Sequence, residues 1–189
     1  MQNKRIWLLP LLLAMPLLHG CVAALVGGAA TGVIMHEDRR TVGTITEDQG
    51  IEFKASSRIN DKLSNSHVNV TSYNRIVLLT GEVASAGARE EAERIARGVE
   101  NVRGVINELQ VAGNSSLTAR SNDSFITSKV KARFVDAQRF NPLQVKVVTE
   151  SNVVYLLGLV KRAEADEASK IASTTGGVQK VVRVFEYLD

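Results

Sequence analysis

The sequence contains a single cysteine, Cys21, among its 189 residues. One cysteine can form no disulfide within the chain and cannot build a cysteine-based metal centre. A long apolar run is also missing from the N-terminal region, since Pro10 and Pro16 interrupt the stretch from Ile6 to Leu18. A membrane-spanning helix needs ~20 predominantly apolar residues, so this stretch is too short to be one.

Residues that carry catalysis are scarce as well. Only two histidines, His36 and His67, follow the first twenty residues, and neither has a second ligand at metal-like spacing. We expect His67, at the start of a strand, to be a surface residue. The patterns G-x-S-x-G and H-E-x-x-H and a phosphate-binding glycine loop are absent. The sequence therefore predicts no catalytic residue, no metal site, no cofactor and no enzymatic activity.

The N-terminus has the layout of a secretory signal. Lys4 and Arg5 precede the short apolar stretch, which ends in "LHGC" at residues 18–21. This ending resembles the lipobox of bacterial lipoproteins, although His19 replaces the usual small residue. The resemblance implies cleavage after Gly20 and lipidation of Cys21. Because Val22 rather than Asp follows, it also implies an outer-membrane destination.

The charge of the chain gives little support for a polyanionic partner. Loss of Lys4 and Arg5 with the signal peptide lowers the formal net charge from +3 to +1. An exported protein also meets no nucleic acid in the periplasm, so we expect no nucleic-acid binding. Residues 22–35 are small, apolar and rich in glycine, which favours a flexible tether over a weakly inserted segment.

Two copies of one structural pattern follow. "DQGIEFKASSRI" and "DSFITSKVKARF" predict helices capped by Asp48 and Asp123, after the polar loop "HEDRRTVGTITEDQG". Each then has two alternating strands joined by a polar turn, Asn74-Arg75 in the first copy and Ser151-Asn152 in the second. The helical stripe repeats at i, i+4 and i+8, which indicates one buried face. Its members are Ile51, Ala55 and Ile59 in the first copy and Ile126, Val130 and Phe134 in the second.

An alanine-rich helix and a final strand complete each copy. "AREEAERIARGV" and "EADEASKIASTT" place small residues on one face, which lets a helix lie close to a sheet. The predicted class is α+β, with two tandem α-β-β-α-β domains, each packing two helices on a three-stranded sheet. The predicted divisions are the signal peptide 1–20, a lipidated tether 21–46, a first domain 47–112, a linker 113–122 and a second domain 123–189.

The pattern of a capped helix, a hairpin reading "V.V......V.L.G.V", an alanine-rich helix and a closing "GV..V...." strand resembles the BON domain. A lipobox followed by two such units resembles the dual-BON outer-membrane lipoproteins. The resemblance implies a role in envelope integrity, enrichment at division sites and association with the outer-membrane protein assembly machinery. It also implies that the first helix of the second unit binds anionic phospholipid such as phosphatidylglycerol.

The two copies differ most on the outward face of their first helices. In the second copy this face carries Phe125, Ser128, Ala132 and Val135, where the first copy has Gly50, Phe53, Ser57 and Asn60. Charge differs in the same direction, because residues 120–146 carry a balance of +4 and residues 47–62 a balance of −1. Apolar groups beside basic residues on a helix suit a boundary between anionic headgroups and acyl chains. The predicted phospholipid-binding residues are Phe125, Ser128, Lys129, Lys131, Ala132, Arg133 and Val135.

Two other interpretations of this face remain open. The charges can be ordinary solvation, with Phe125 packed near the helix start or covered by the other unit. Alternatively, the same helix binds a protein, which would make the chain an adaptor for the assembly or division machinery. The leading expectation is a lipoprotein anchored through Cys21 to the outer membrane, facing the periplasm, whose second domain docks on anionic phospholipid.

Overall fold

A computed structural model of the chain describes residues 38–189, and these residues lie in one compact unit. Within this range two α-β-β-α-β repeats follow one another, which confirms the predicted α+β class. The first repeat consists of α1 (Val42–Lys62), β1 (His67–Tyr73), β2 (Ile76–Val83), α2 (Ala86–Arg97), β3 (Gly104–Asn107) and β4 (Gln110–Val111). The second consists of α3 (Leu117–Ala137), a 3-10 helix (Pro142–Gln144), β5 (Lys146–Glu150), β6 (Val153–Val160), α4 (Arg162–Ser173) and β7 (Lys180–Tyr187).

The first helix of each repeat begins earlier than the sequence predicts. Thr41 caps α1, where its side chain accepts from the N–H of Thr44 at 3.1 Å. Ser116 caps α3 in the same way, accepting from Ala119 at 3.2 Å. The prediction that Asp48 and Asp123 are the caps is therefore wrong. The first turns of α1 lie in the predicted polar loop "HEDRRTVGTITEDQG", and the first turn of α3 lies in the predicted linker 113–122.

Each repeat builds its sheet around a central strand. β2 pairs antiparallel with β1 and parallel with β3 and β4, while β6 pairs antiparallel with β5 and parallel with β7. The third position of the first sheet is split between β3 and β4. Asn107 lies at the split, and its side chain accepts from the N–H of Leu109 at 3.2 Å. Leu109 is 2% exposed. Leu109 thus packs in the core of the first repeat although it lies between the two strand segments.

The hairpin turns form where the sequence predicts them. Asn74, Arg75, Ser151 and Asn152 all have positive φ, between 49° and 65°. Two consecutive residues of this conformation make the type I′ turn, whose twist matches that of antiparallel strands. Gly81 also has positive φ, at 109°, and a β-carbon there would overlap the carbonyl oxygen of His67. Close backbone approach thus explains this glycine.

Each repeat has its own core between helices and sheet. The predicted stripe of α1 is buried against β2 and α2, and the stripe of α3 is buried against β6 and α4. Both alanine-rich helices approach their sheet through fully buried alanines, as the sequence predicts. These are Ala92 and Ala96 in α2 and Ala165, Ala168 and Ala172 in α4.

The faces of the two sheets that the helices leave open pack against each other. Tyr73 and Leu78 of the first repeat form one buried cluster with Tyr155 and Leu157 of the second. Polar pairs surround this cluster, among them Lys146 Nζ to Glu52 Oε1 at 2.8 Å. The architecture is therefore four layers, helix–sheet–sheet–helix. None of the helices in residues 38–189 is long and apolar enough to span a membrane.

Residues 38–40 add a further contact between the repeats. Arg39 donates to both carboxylate oxygens of Glu164, at 2.7 and 2.8 Å, and to the carbonyl of Leu159 at 2.9 Å. Arg40 turns to the first repeat, where it pairs with Asp48 at 2.9 Å and lies 3.9 Å above the ring of Tyr73. Residues 39 and 40 therefore form ion pairs with both repeats.

Candidate functional site

The predicted lipid-binding residues lie on helix α3, whose orientation is fixed by its buried side. Ile126, Val130 and Phe134 are each at most 1% exposed and face the core of the second repeat. Phe134 also meets Phe140 edge to face, with ring centroids 5.0 Å apart. The opposite side of α3 therefore faces away from its own repeat.

Four of the predicted residues form a continuous outer strip on α3, because spacings of three and four place side chains on one helical face. We define the outer strip as Phe125, Ser128, Ala132 and Val135. All four are exposed, with Phe125 at 62% and Val135 at 60%. The first repeat does not cover them, which contradicts the interpretation that Phe125 is sealed beneath the other unit.

The three predicted basic residues do not share one environment. Lys131 is exposed and forms no hydrogen bond or ion pair within residues 38–189. Arg133 instead donates to the carbonyl of Ile171 at 3.0 Å and to the hydroxyls of Thr175 and Thr174 at 2.8 and 3.1 Å. These groups end helix α4, whose last carbonyls lack helical partners. Arg133 therefore ties α3 to α4.

Lys129 has a mixed position. Its Nζ donates to the carbonyl of Gly176, beyond the end of α4, and lies 4.9 Å from the ring centroid of Phe125. A cation over an aromatic face is attracted by the ring. Lys129 thus joins the end of α4 to the first residue of the outer strip, and Lys131 is the basic residue on this helix that is fully available to a ligand.

The first repeat contains the same pair of basic contacts. Arg58 of α1 donates to the carbonyl of Gly98 at 3.3 Å, and Lys54 lies 3.9 Å from Glu100, both just beyond α2. Positions 54 and 58 correspond to 129 and 133 in the repeat alignment. This basic pair therefore belongs to the shared fold. Phe53 is the exposed aromatic of α1, at 77%.

Asp48 and Asp123 have a function that the sequence analysis missed. Both are buried within their helices, and their carboxylates accept the N–H groups of the hairpin turns. Asp48 accepts from Asn74 and Arg75 at 2.8 and 2.7 Å. Asp123 accepts from Ser151 and Asn152 at 2.9 and 2.8 Å. The signal in the sequence was that both copies have an aspartate in the first helix and a polar turn in the hairpin that follows.

The prediction that His67 is a surface residue without carboxylate partners is wrong. Its side chain is 16% exposed, and its Nδ1 lies 3.0 Å from Glu82 and 3.9 Å from Glu150. Burial opposes the ionisation of Glu82, but hydrogen bonds from Ser115 and His67 hold the pKa of Glu82 below its ordinary value. Burial raises the pKa of Glu150. The sequence did not reveal these partners of His67, because Glu82 comes from another strand and Glu150 from the second repeat.

The predicted lipidation site, Cys21, lies outside the described residues, as do the signal peptide and most of the tether. Lipidation therefore stays a prediction from the sequence. The predicted domain divisions likewise stay a prediction.

Comparison with known proteins gives a family match over both repeats. The model of the BON domain matches residues 47–113 and 122–189. The chain is 42% identical over 176 residues to the outer membrane lipoprotein DolP of Haemophilus influenzae, an alignment that covers 91% of each chain. It is 31% identical to the 21 kDa hemolysin of Actinobacillus pleuropneumoniae, covering 80% of this chain and 79% of the relative. It is 32% identical to the osmotically-inducible protein Y of Escherichia coli, covering 74% of this chain and 72% of the relative.

Proposed function

The chain belongs to the BON-domain family, and from this premise we propose that it is an outer-membrane lipoprotein that binds anionic phospholipid through helix α3. The single observation that carries the lipid part is the outer strip of α3, which presents Phe125 and Val135 to solvent beside the exposed Lys131. Apolar groups flanked by a cation are the combination that an acyl chain and headgroup boundary attracts.

The strip supports a shallow, reversible mode of binding. Full burial of one large apolar side chain is worth ~1.5–3 kcal/mol, so Phe125 and Val135 together supply a modest hydrophobic term. One basic residue near an anionic surface adds ~1 kcal/mol. Lys129, held over the Phe125 ring, adds positive potential at the same end of the strip. These terms suit a domain that docks on a membrane to which the chain is already attached.

The attachment is the lipid on Cys21. The lipobox "LHGC" and the name of the Haemophilus relative, an outer membrane lipoprotein, support this location. A tether keeps the docking domain close to the membrane, so a weak surface affinity becomes effective through high local concentration. The protein faces the periplasm and acts without catalysis, and its cellular role is support of the envelope.

A second candidate function is that of a protein adaptor, and Phe53 favours it. This aromatic is 77% exposed on α1, in the repeat that lacks the outer strip. A partner from the outer-membrane assembly or division machinery would then contact α1, α3 or both.

Vesicle flotation separates the two candidates. A chain of residues 22–189, which lacks Cys21, is mixed with vesicles of phosphatidylcholine alone or with added phosphatidylglycerol. We expect flotation with the anionic vesicles only, because Lys131 needs an anionic headgroup. Phe125→Glu, which puts a charge in the apolar strip, should reduce binding at least tenfold.

Phe53→Glu is the matched control, since it makes the same change on the equivalent helix and should leave flotation intact. Binding that ignores vesicle charge, or that survives Phe125→Glu, would favour the adaptor over the phospholipid-binding protein.

A further inference from the structure

A second cluster of functional side chains lies between the two repeats, away from the outer strip. We define the His67 cluster as His67, Glu82 and Glu150. His67 opens β1 and is paired in the sheet with Glu82 of β2, while Glu150 ends β5 in the second repeat. One nitrogen or oxygen of each residue lies within 4.8 Å of the others. The fold of both repeats is therefore needed to assemble this cluster.

The carboxylates of the cluster are buried and held in place by neutral donors. Glu82 is 4% exposed and Glu150 is 5% exposed. The oxygen of Glu150 that faces away from His67 accepts from Asn69 at 2.7 Å and from Thr80 at 3.3 Å. The corresponding oxygen of Glu82 accepts from Ser151 at 3.3 Å. Each carboxylate thus has one oxygen fixed by side-chain donors and another turned towards the imidazole. The inward oxygen of Glu82 also accepts from the backbone N–H of Ser115 at 3.1 Å.

The spacing of the inward atoms is near that of a metal site, with one pair closer together than tetrahedral ligands and one pair farther apart. Nδ1 of His67 lies 3.0 Å from Glu82 Oε2, 3.4 Å from Ser115 Oγ and 3.9 Å from Glu150 Oε1. Ligands at 2.0–2.2 Å from a tetrahedral ion stand roughly 3.3–3.6 Å apart. We propose that His67, Glu82 and Glu150 bind a divalent transition-metal ion between the repeats.

The charge of the site also favours a cation. Two buried carboxylates face one imidazole, and burying unpaired charge is costly. His67, Glu150 and Arg120 line a cavity of about 220 Å³, but Arg120 donates to the hydroxyl of Ser115 at 3.1 Å. Within residues 38–189 it forms no ion pair with either carboxylate. A metal ion supplies the missing positive charge, and the cavity gives it a path from solvent.

The donor set selects the class of metal. One imidazole nitrogen and two carboxylate oxygens suit Zn²⁺ and its first-row neighbours. Mg²⁺ and Ca²⁺ prefer all-oxygen surroundings, so they fit this site less well. Hydrogen bonds that orient metal-binding carboxylates, as Asn69 and Ser151 do here, are the usual support of such sites.

A metal in this place would join the two repeats. His67 and Glu82 belong to the first repeat and Glu150 to the second. Metal binding would therefore stabilise the packing of one sheet on the other, because an ion that binds only the assembled site shifts unfolding by mass action.

Metal titration of the full-length chain in detergent tests the proposal. The protein is stripped with a chelator and titrated with ZnCl₂ by calorimetry, with MgCl₂ as the comparison. We expect one Zn²⁺ per chain, and a rise in Tm of roughly 5 °C once Zn²⁺ is in hundredfold excess over its Kd. MgCl₂ should give neither heat nor a Tm shift.

Variants locate the site. His67→Gln keeps a side chain that can donate to Glu82 but loses the imidazole, and Glu150→Gln loses one anionic ligand. Both should weaken Zn²⁺ binding at least tenfold while circular dichroism shows a folded protein. Glu91→Gln, at an ion pair outside the cluster, and His36→Gln are the controls and should bind as the wild type does.

The results that overturn the proposal are equally definite. Absence of Zn²⁺ binding by the wild type would leave the cluster as a hydrogen-bonded histidine and nothing more. Zn²⁺ binding that His67→Gln and Glu150→Gln leave unchanged would assign the ion to other residues.

Discussion

Helices α1 and α3 hold corresponding places in the two repeats, yet only their inner sides agree. Both helices bury a stripe of three apolar residues. In both, a buried aspartate accepts hydrogen bonds from the N–H groups of the hairpin turn. A lysine and an arginine of each helix also contact the end of the next helix. Their outer sides differ at five positions. The residues of α3 are Phe125, Ser128, Lys131, Ala132 and Val135, and the corresponding residues of α1 are Gly50, Phe53, Ser56, Ser57 and Asn60.

This comparison separates the residues that make the fold from those that can distinguish the repeats. Lys129 and Arg133 have counterparts in Lys54 and Arg58, which also reach the end of the next helix, so they do not account for a property of the second repeat alone. Phe125, Lys131 and Val135 have no such counterpart. The difference between the repeats is therefore smaller than the charge balance of the sequence indicates, and it is concentrated in the outer strip and Lys131.

Replacing the buried aspartates, which both repeats share, should give the largest change in unfolding free energy. Asp48 accepts hydrogen bonds from two turn N–H groups and from the Ser72 hydroxyl at 2.6 Å, and it forms an ion pair with Arg40. Asp123 accepts hydrogen bonds from two turn N–H groups. We expect Asp48→Ala to cost about 3–5 kcal/mol and Asp123→Ala about 2–3 kcal/mol of unfolding free energy. Urea denaturation followed by circular dichroism measures both.

The matched controls for this test are Asp61→Ala and Asp136→Ala, which remove exposed carboxylates at equivalent positions of the same two helices. Both should stay within about 0.5 kcal/mol of the wild type. Equal losses for Asp48 and Asp123 would show that the Arg40 pair adds nothing to stability.

The arginines at the helix ends give a smaller effect. Arg133 makes three hydrogen bonds to the end of α4, whereas Arg58 makes one, at 3.3 Å, to the end of α2. We expect Arg133→Ala to lower the unfolding free energy by about 1–2 kcal/mol and Arg58→Ala by under about 0.5 kcal/mol. The midpoint of thermal unfolding ranks the two variants, and the reverse order would contradict a structural role for Arg133.

Lys131 tests the property that only the second repeat has. Its replacement by Ala should weaken binding to phosphatidylglycerol vesicles about fivefold, because one basic group near an anionic surface is worth ~1 kcal/mol. The effect should fade as salt rises, since it is electrostatic. Lys54→Ala removes a half-exposed cation from α1 and should leave vesicle binding unchanged. An equal loss of vesicle binding in both variants would mean that binding depends on the total charge of the protein and not on which repeat carries the lysine.

The smallest expected effect concerns Glu164, which has no counterpart in the first repeat. A hydrogen bond from Arg39 holds the pKa of Glu164 below its ordinary value of 4.5. Its stabilising contribution is therefore complete above pH 4.5 and is lost as the pH falls through the lower pKa of the folded state. Glu164→Gln should cost about 0.5–1 kcal/mol at pH 7 and nothing at low pH.

Unfolding of the two proteins measured across this pH range checks the sign. If Glu164→Gln and the wild type differ by the same amount at both ends of the range, the contact with Arg39 does not depend on the charge of Glu164.

The sequence was sufficient for features that repeat at short range. The stripe from Ile126 to Phe134 lies within one helix, and the polar pair Ser151-Asn152 lies within one turn, so local sequence patterns predict them. The outer strip followed from the same helical geometry. Its exposure could not be predicted, because that depends on which side of α3 the first repeat covers.

Apart from the helix caps Thr41 and Ser116, the features that the sequence did not predict join distant residues. Asp48 meets Ser72 across 24 positions, and Asn69 meets Glu150 across 81. An aspartate before an apolar stripe is typical of a helix cap, and the turn N–H groups that it accepts instead become visible only when the hairpin folds back on the helix. His67 was misjudged for the same reason, because its partners come from β2 and from the second repeat.

The double attachment of Arg39 and Arg40 has a mechanical consequence. Arg39 holds Glu164 and Leu159 of the second repeat, while Arg40 holds Asp48 of the first. Tension applied to the chain at residue 38 is therefore borne first by these ion pairs, at the joint between the sheets. Force from a membrane anchor would pull on the junction of the two halves before it strained either core.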